Sequence, residues 1–167
     1  MPDPLTELLE WHRDEVSAAA MFDDLAQAAS DADIAHKWRM LARLEHHVAG
    51  QLQAALAARG VAVPAPDVDE LRRTAEGNPY LNLSWQQAMA ELRPALIGYV
   101  RDFESAEARM PADLLPLARF VTAHEQALLD FVVRELDHDG IDSLDPVCSV
   151  LDSAPQSATA GAAQSAT

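Results

Sequence analysis

Apolar residues recur at three- and four-residue steps through four long stretches of the chain. Leu5, Leu8, Ala19, Phe22, Leu25 and Ala29 form the first stripe, and Ile34, Trp38, Leu41, Val48, Leu52 and Leu56 form the second. Trp85, Met89, Leu92, Leu96, Tyr99 and Phe103 define the third; Leu114, Leu117, Val121, Leu128, Phe131 and Val132 define the fourth. Steps of this length bring side chains to one face of an α-helix, so four helices with one buried face each are expected. The boundary residues agree. Asp3 before Pro4 is a cap followed by proline at the first helical position. Ser30-Asp31-Ala32-Asp33 makes a short turn, and Gly60 ends the second helix. Ser84 and Gln87 have the spacing of a capping box, and Pro111 marks the start of the fourth helix. Pro94 falls inside the third helix and predicts a kink or a freed carbonyl there.

Residues 61–83 read differently. Pro64, Pro66 and Gly77-Asn78-Pro79 break regularity, with Asp67 placed to cap a short helix through Leu71. The order is helix, short turn, helix, long crossover, helix, short turn, helix. Short turns make neighbours antiparallel, and a crossover of this length lets the second and third long helices run parallel. The expectation is an all-α four-helix bundle over residues 1–136 and an acidic extension over 137–151. A Ser/Ala-rich tail over 152–167, with almost nothing to bury, reads as disordered.

Composition narrows the function. Of 167 residues, 27 are acidic and 12 are Lys or Arg, for a formal charge of −15. Such a chain repels nucleic-acid phosphates and anionic membrane surfaces, so neither is expected as a partner. The first residues lack a basic and then apolar leader pattern, and no apolar run approaches membrane-spanning length. Cys148 is the only cysteine, which fits a reducing compartment. A cytoplasmic protein is expected. A homodimer formed through an outer helix face is left open.

Acids interrupt the stripes. Glu15 follows His12 by three residues, and both lie on the first stripe. Glu45 lies on the second. On the fourth, Glu125 and His124 sit on alternative versions of the inward face. Glu91 is one position off the third stripe, within reach of it only if Pro94 rotates the register. An unpaired carboxylate in a helical core costs several kcal/mol, so such a set requires a metal, raised pKa values or cationic partners. Arg13, Arg39 and Arg93 are the cations nearest in sequence.

With its crossover and one inward acid on most helices, the chain resembles the ferritin-like superfamily over residues 5–136. In that superfamily a Glu on the first and third helices joins a Glu-x-x-His on the second and fourth to hold two irons. The resemblance implies that Glu15 is the first-helix ligand, Glu45 in Leu44-Glu45-His46-His47-Val48 the second, and Glu125 in His124-Glu125-Gln126 the fourth. Val48 and Leu128 stand where the superfamily's histidines would be, and His12 and His124 are the available substitutes. A hemerythrin-like reading is poorer, because position 51, one turn after His47, is Gln.

Three functions follow. Iron or manganese on Glu15, Glu45, Glu91, His124 and Glu125 would make an oxidoreductase acting on a small molecule. Without a metal, His12 with Glu15, or His124 with a neighbouring acid, would be an acid–base pair for a lyase, isomerase or hydrolase. With arginines on the acids, the chain would be a non-enzymatic binding or assembly protein.

Overall fold

The computed structural model describes residues 3–156, and among these there are six helices and no strand. They are α1 (Pro4–Ala28), α2 (Ala32–Ala57), α3 (Val68–Glu76), α4 (Trp85–Glu107), α5 (Leu115–Asp137) and α6 (Asp145–Leu151). Caps set four of the starts. The Asp3 carboxylate accepts from Thr6 N–H, Asp31 from Asp33 and Ile34, and Asp67 from Asp69 and Glu70. Ser84 and Gln87 form the reciprocal capping box at the start of α4. Each cap satisfies amide groups that the first helical turn leaves without partners, an effect worth about 1 kcal/mol.

The long helices bury their predicted stripes in one core, in which Leu8, Leu41, Leu52, Met89, Val121 and Phe131 are all but inaccessible. α1 packs on α2, α4 on α5, and α2 also meets α5. Aromatic contacts run within and between the pairs. Trp11 meets Phe103 edge-on at 5.0 Å, Phe22 stacks on Trp38 at 5.6 Å, and Trp38 meets Trp85 at 5.0 Å.

Several boundaries differ from the sequence pattern. α3 continues past Leu71 to Glu76, and Pro111 begins a turn that precedes α5 rather than α5 itself. α4 runs unbroken through Pro94. Pro94 is exposed, and the carbonyl four residues earlier belongs to exposed Ala90, so the bond that proline forfeits falls on the solvent side of the helix. Tyr99 is 54% exposed, and Val100 takes the inward place expected for it. α6 falls within the expected acidic extension and packs on α5 and α2 through Val147 and Val150. Residues 152–156 follow α6 without helix, and the His47 ring donates to the Ser153 carbonyl at 2.9 Å. The rest of the expected disordered tail, 157–167, lies outside the described residues.

A second polar feature ties three helices together. Glu135 of α5 is buried, with Lys37 Nζ of α2 at 2.6 Å from Oε1 and Trp85 Nε1 of α4 donating to Oε2 at 2.8 Å. The turn after α5 closes over this pair, with Asp139, Gly140 and Asp142 all at positive φ.

No helix among the described residues is long and apolar enough to cross a membrane.

Candidate metal centre

α1, α2 and α5 each bring one side chain to a common point in the core. Glu15, Glu45 and His124 are all buried, and one ligand atom from each lies within 4.8 Å of the others. His124 Nε2 is 3.2 Å from Glu45 Oε2 and 3.3 Å from Glu15 Oε2. Glu125 adds a third carboxylate, with Oε1 3.8 Å from the same nitrogen. Helical periodicity explains the convergence. One turn either side of these residues stand Trp11 and Ala19 on α1, Leu41 and Val48 on α2, and Val121 and Leu128 on α5, all buried. Packing these apolar faces together carries the polar residues between them into the core.

His124 and Glu125 both point inward. They are about 100° apart around α5, so the core direction passes between them. The His124 ring donates from Nδ1 to the Val121 carbonyl at 2.6 Å, which orients the ring and turns Nε2 toward the carboxylates.

Electrostatics set the direction in which each group of the metal-free site shifts. Burial would lower the His124 pKa, but the Glu15 and Glu45 carboxylates outweigh it and hold the value well above the ordinary one. Burial and then the Glu15 charge push Glu45 well up, against the pull of His124. Burial acts upward on Glu15 too, yet the His124 charge and hydrogen bonds from Glu45 and His124 bring it below its ordinary value. The site thus favours a proton on His124 and on Glu45 and disfavours one on Glu15. Burial raises Glu125 to about 7, opposed by His124 and assisted by Glu15.

A divalent cation suits this donor set. Ligand atoms about 2.1 Å from a metal stand about 3.0 Å apart in an octahedron and about 3.4 Å apart in a tetrahedron. The two separations at His124 Nε2, 3.2 and 3.3 Å, fall between these. Glu125 Oε2 is buried without a hydrogen-bond partner, a carboxylate oxygen still to be satisfied. No lysine or arginine among the described residues forms a salt bridge with the group; Arg13 and Arg39 are exposed, and Arg93 pairs with Asp137.

Two predicted residues stand apart. Glu91 is exposed on α4, because Leu92 faces the core and Pro94 leaves the register unchanged. His12 is buried one turn from Glu15, but it lines a cavity of about 390 Å³ on the outer side of α1 and is not among the converging ligands. Glu135 and Lys37 were not singled out from the sequence. Glu135 extends the run 121, 125, 128, 132 by one further step, and that signal was available.

These shifts have a measurable consequence for the metal-free protein. An acid raised from 4.5 to about 7 on folding keeps a proton that the unfolded chain has released. Its stabilising contribution is complete below pH 4.5 and is lost as pH rises through 7, by about 3 kcal/mol. His124 and Glu45, also raised, act with the same sign. Urea unfolding in chelator should therefore show stability falling between pH 5 and 7.5, and Glu125→Gln should make that slope shallower. An unchanged slope in the variant would refute the assignment.

No protein-family model matches the chain, and no curated protein or solved structure matches it significantly.

Proposed function

We propose that this protein is a ferritin-like four-helix bundle that holds iron or manganese in its core on Glu15, Glu45, His124 and Glu125, and acts as an oxidoreductase on a small molecule. The observation that carries the reading is the convergence of two carboxylates and an imidazole from three helices inside an apolar core. Carboxylate oxygens with one imidazole nitrogen are a hard to borderline donor set suited to Mn(II) and Fe(II). Such a metal would supply one-electron chemistry, with positions left open by a protein contributing only three or four ligands. The chain's own part is to hold charge. Glu15 and Glu45 compensate a dication where the metal-free site keeps protons, and the Val121 carbonyl fixes the His124 tautomer.

The bundle topology has its own support. Trp38 and Trp85 meet near the starts of α2 and α4, while Arg59 and Asp113, just beyond their ends, pair at 2.9 Å. Contacts at both ends favour a parallel pair, the arrangement that a long crossover between them allows. Glu7 and Arg109 pair at 2.7 Å, setting the start of α1 against the end of α4.

A second reading, a metal-free His–Glu acid–base centre, draws on the hydrogen bond from the His124 ring to Glu45 at 3.2 Å. Metal content separates the two. After anaerobic loading with Fe(II) or Mn(II) and desalting, mass spectrometry should find about one metal per chain, with Glu45→Ala retaining less than a tenth of it. Absence of retained metal in the folded parent protein would reject the oxidoreductase reading in favour of the acid–base one.

A further inference from the structure

The cavity beside His12 lies between α1 and the crossover segment 62–71. At about 390 Å³ it is within the range of small-molecule sites, roughly 300–1,000 Å³. Its walls are chiefly apolar: Leu9 and Val16 from α1, with Val63, Pro64 and Leu71 opposite. His12 is the one buried polar side chain among them. The rings of His46, His47 and His124 hydrogen-bond to protein groups among the described residues, whereas that of His12 does not. Neither ring nitrogen is spent on a protein group among the described residues. Burial lowers its pKa, with Glu15 partly opposing, which favours the neutral ring.

Charge around the cavity narrows the ligand. Glu10, Asp67 and Glu70 outnumber Arg13 among the lining residues, so an anion is repelled. A neutral imidazole offers one N–H and one lone pair, which a hydroxyl matches by both accepting and donating. We propose that this cavity binds a small neutral molecule with an apolar body and one hydroxyl, a phenol or an alcohol, which engages His12.

The test uses 4-ethylphenol, ethylbenzene and 4-ethylbenzoate as probes of matched shape, titrated into the full chain and followed by NMR. On metal-free protein, 4-ethylphenol should shift the signals of Leu9, His12, Val63 and Leu71 and bind at least tenfold more tightly than either analogue. His12→Phe should remove its advantage over ethylbenzene, and Ala65→Trp, which fills the cavity, should weaken both. Failure of the phenol to bind folded protein, or binding indifferent to Ala65→Trp, would overturn the site.

Discussion

Replacing His124 with alanine is expected to abolish metal retention and to destabilise the metal-free protein by about 3–5 kcal/mol at pH 7, the usual penalty for removing one partner of a buried charge cluster. The ring is fully buried, and its Nε2 faces Glu15, Glu45 and Glu125 at 3.3, 3.2 and 3.8 Å. Removing it takes away the imidazole that lies within 4 Å of three buried acids and leaves a void of several heavy atoms. Glu45 and Glu125 can answer by staying protonated. Glu15, which owes its lowered pKa chiefly to His124, must then also take up a proton or carry an uncompensated charge. His124→Phe separates volume from charge, because it fills the space without supplying a cation or a ligand. It should recover part of the stability and none of the metal binding. Mn(II) supplies the second readout. At a hundred times its dissociation constant it should stabilise the parent by about 2.7 kcal/mol, and should leave both variants where they were. Equal stabilisation of His124→Ala and the parent would show that the metal binds elsewhere.

How far the sequence alone reached depends on whether a feature is local. Caps and stripes are written in neighbouring residues, so the starts of α1, α2 and α4 and the inward faces of Glu15 and Glu45 were legible. The choice between His124 and Glu125 was not, since either register of α5 is consistent with the spacing and only packing shows that the two share the inward arc. Glu91 illustrates the reverse case. Its exclusion follows from Leu92 being inward, and Pro94 lies on the solvent face and leaves the register unchanged. α6 has just two buried side chains, Val147 and Val150, too few to make a period, so its existence depends on the surface that α5 and α2 present. The same holds for Tyr99, displaced from the core by Val100 through a one-residue drift over the long run of α4.

Glu135 is the other place where burial and charge meet, and there the structure has answered the charge with protein groups. Glu135→Ala is therefore expected to cost about 3 kcal/mol while leaving metal binding intact. Its carboxylate takes Lys37 at 2.6 Å and the Trp85 indole N–H at 2.8 Å, and Lys37 also lies 5.6 Å from the centre of the Trp85 ring. Truncation strands the indole donor and removes the anion that holds α2, α4 and α5 to one another. Gly140 seals the same point. A Cβ added there would stand 3.0 Å from both Glu135 oxygens and 3.1 Å from Lys37 Nζ, on a backbone at φ +70°. Gly140→Ala should thus cost about 1–2 kcal/mol for the left-handed conformation alone, plus whatever displacement of the ion pair it forces. The pH dependence runs opposite to that of Glu125. Burial would raise Glu135, but Lys37, Ser143 and Trp85 outweigh it and bring the pKa below 4.5. Its contribution is present above pH 4.5 and is lost as pH falls through the lowered value. Glu135→Ala should accordingly flatten the acid limb of the stability profile, where Glu125→Gln flattens the limb above pH 5. Urea midpoints across pH 2–8, with and without Mn(II), measure both limbs. The same Mn(II) shift in Glu135→Ala and the parent is the expected result. A Glu135→Ala variant within 0.5 kcal/mol of the parent at pH 7 would mean that the lock contributes nothing, as exposed ion pairs often do not.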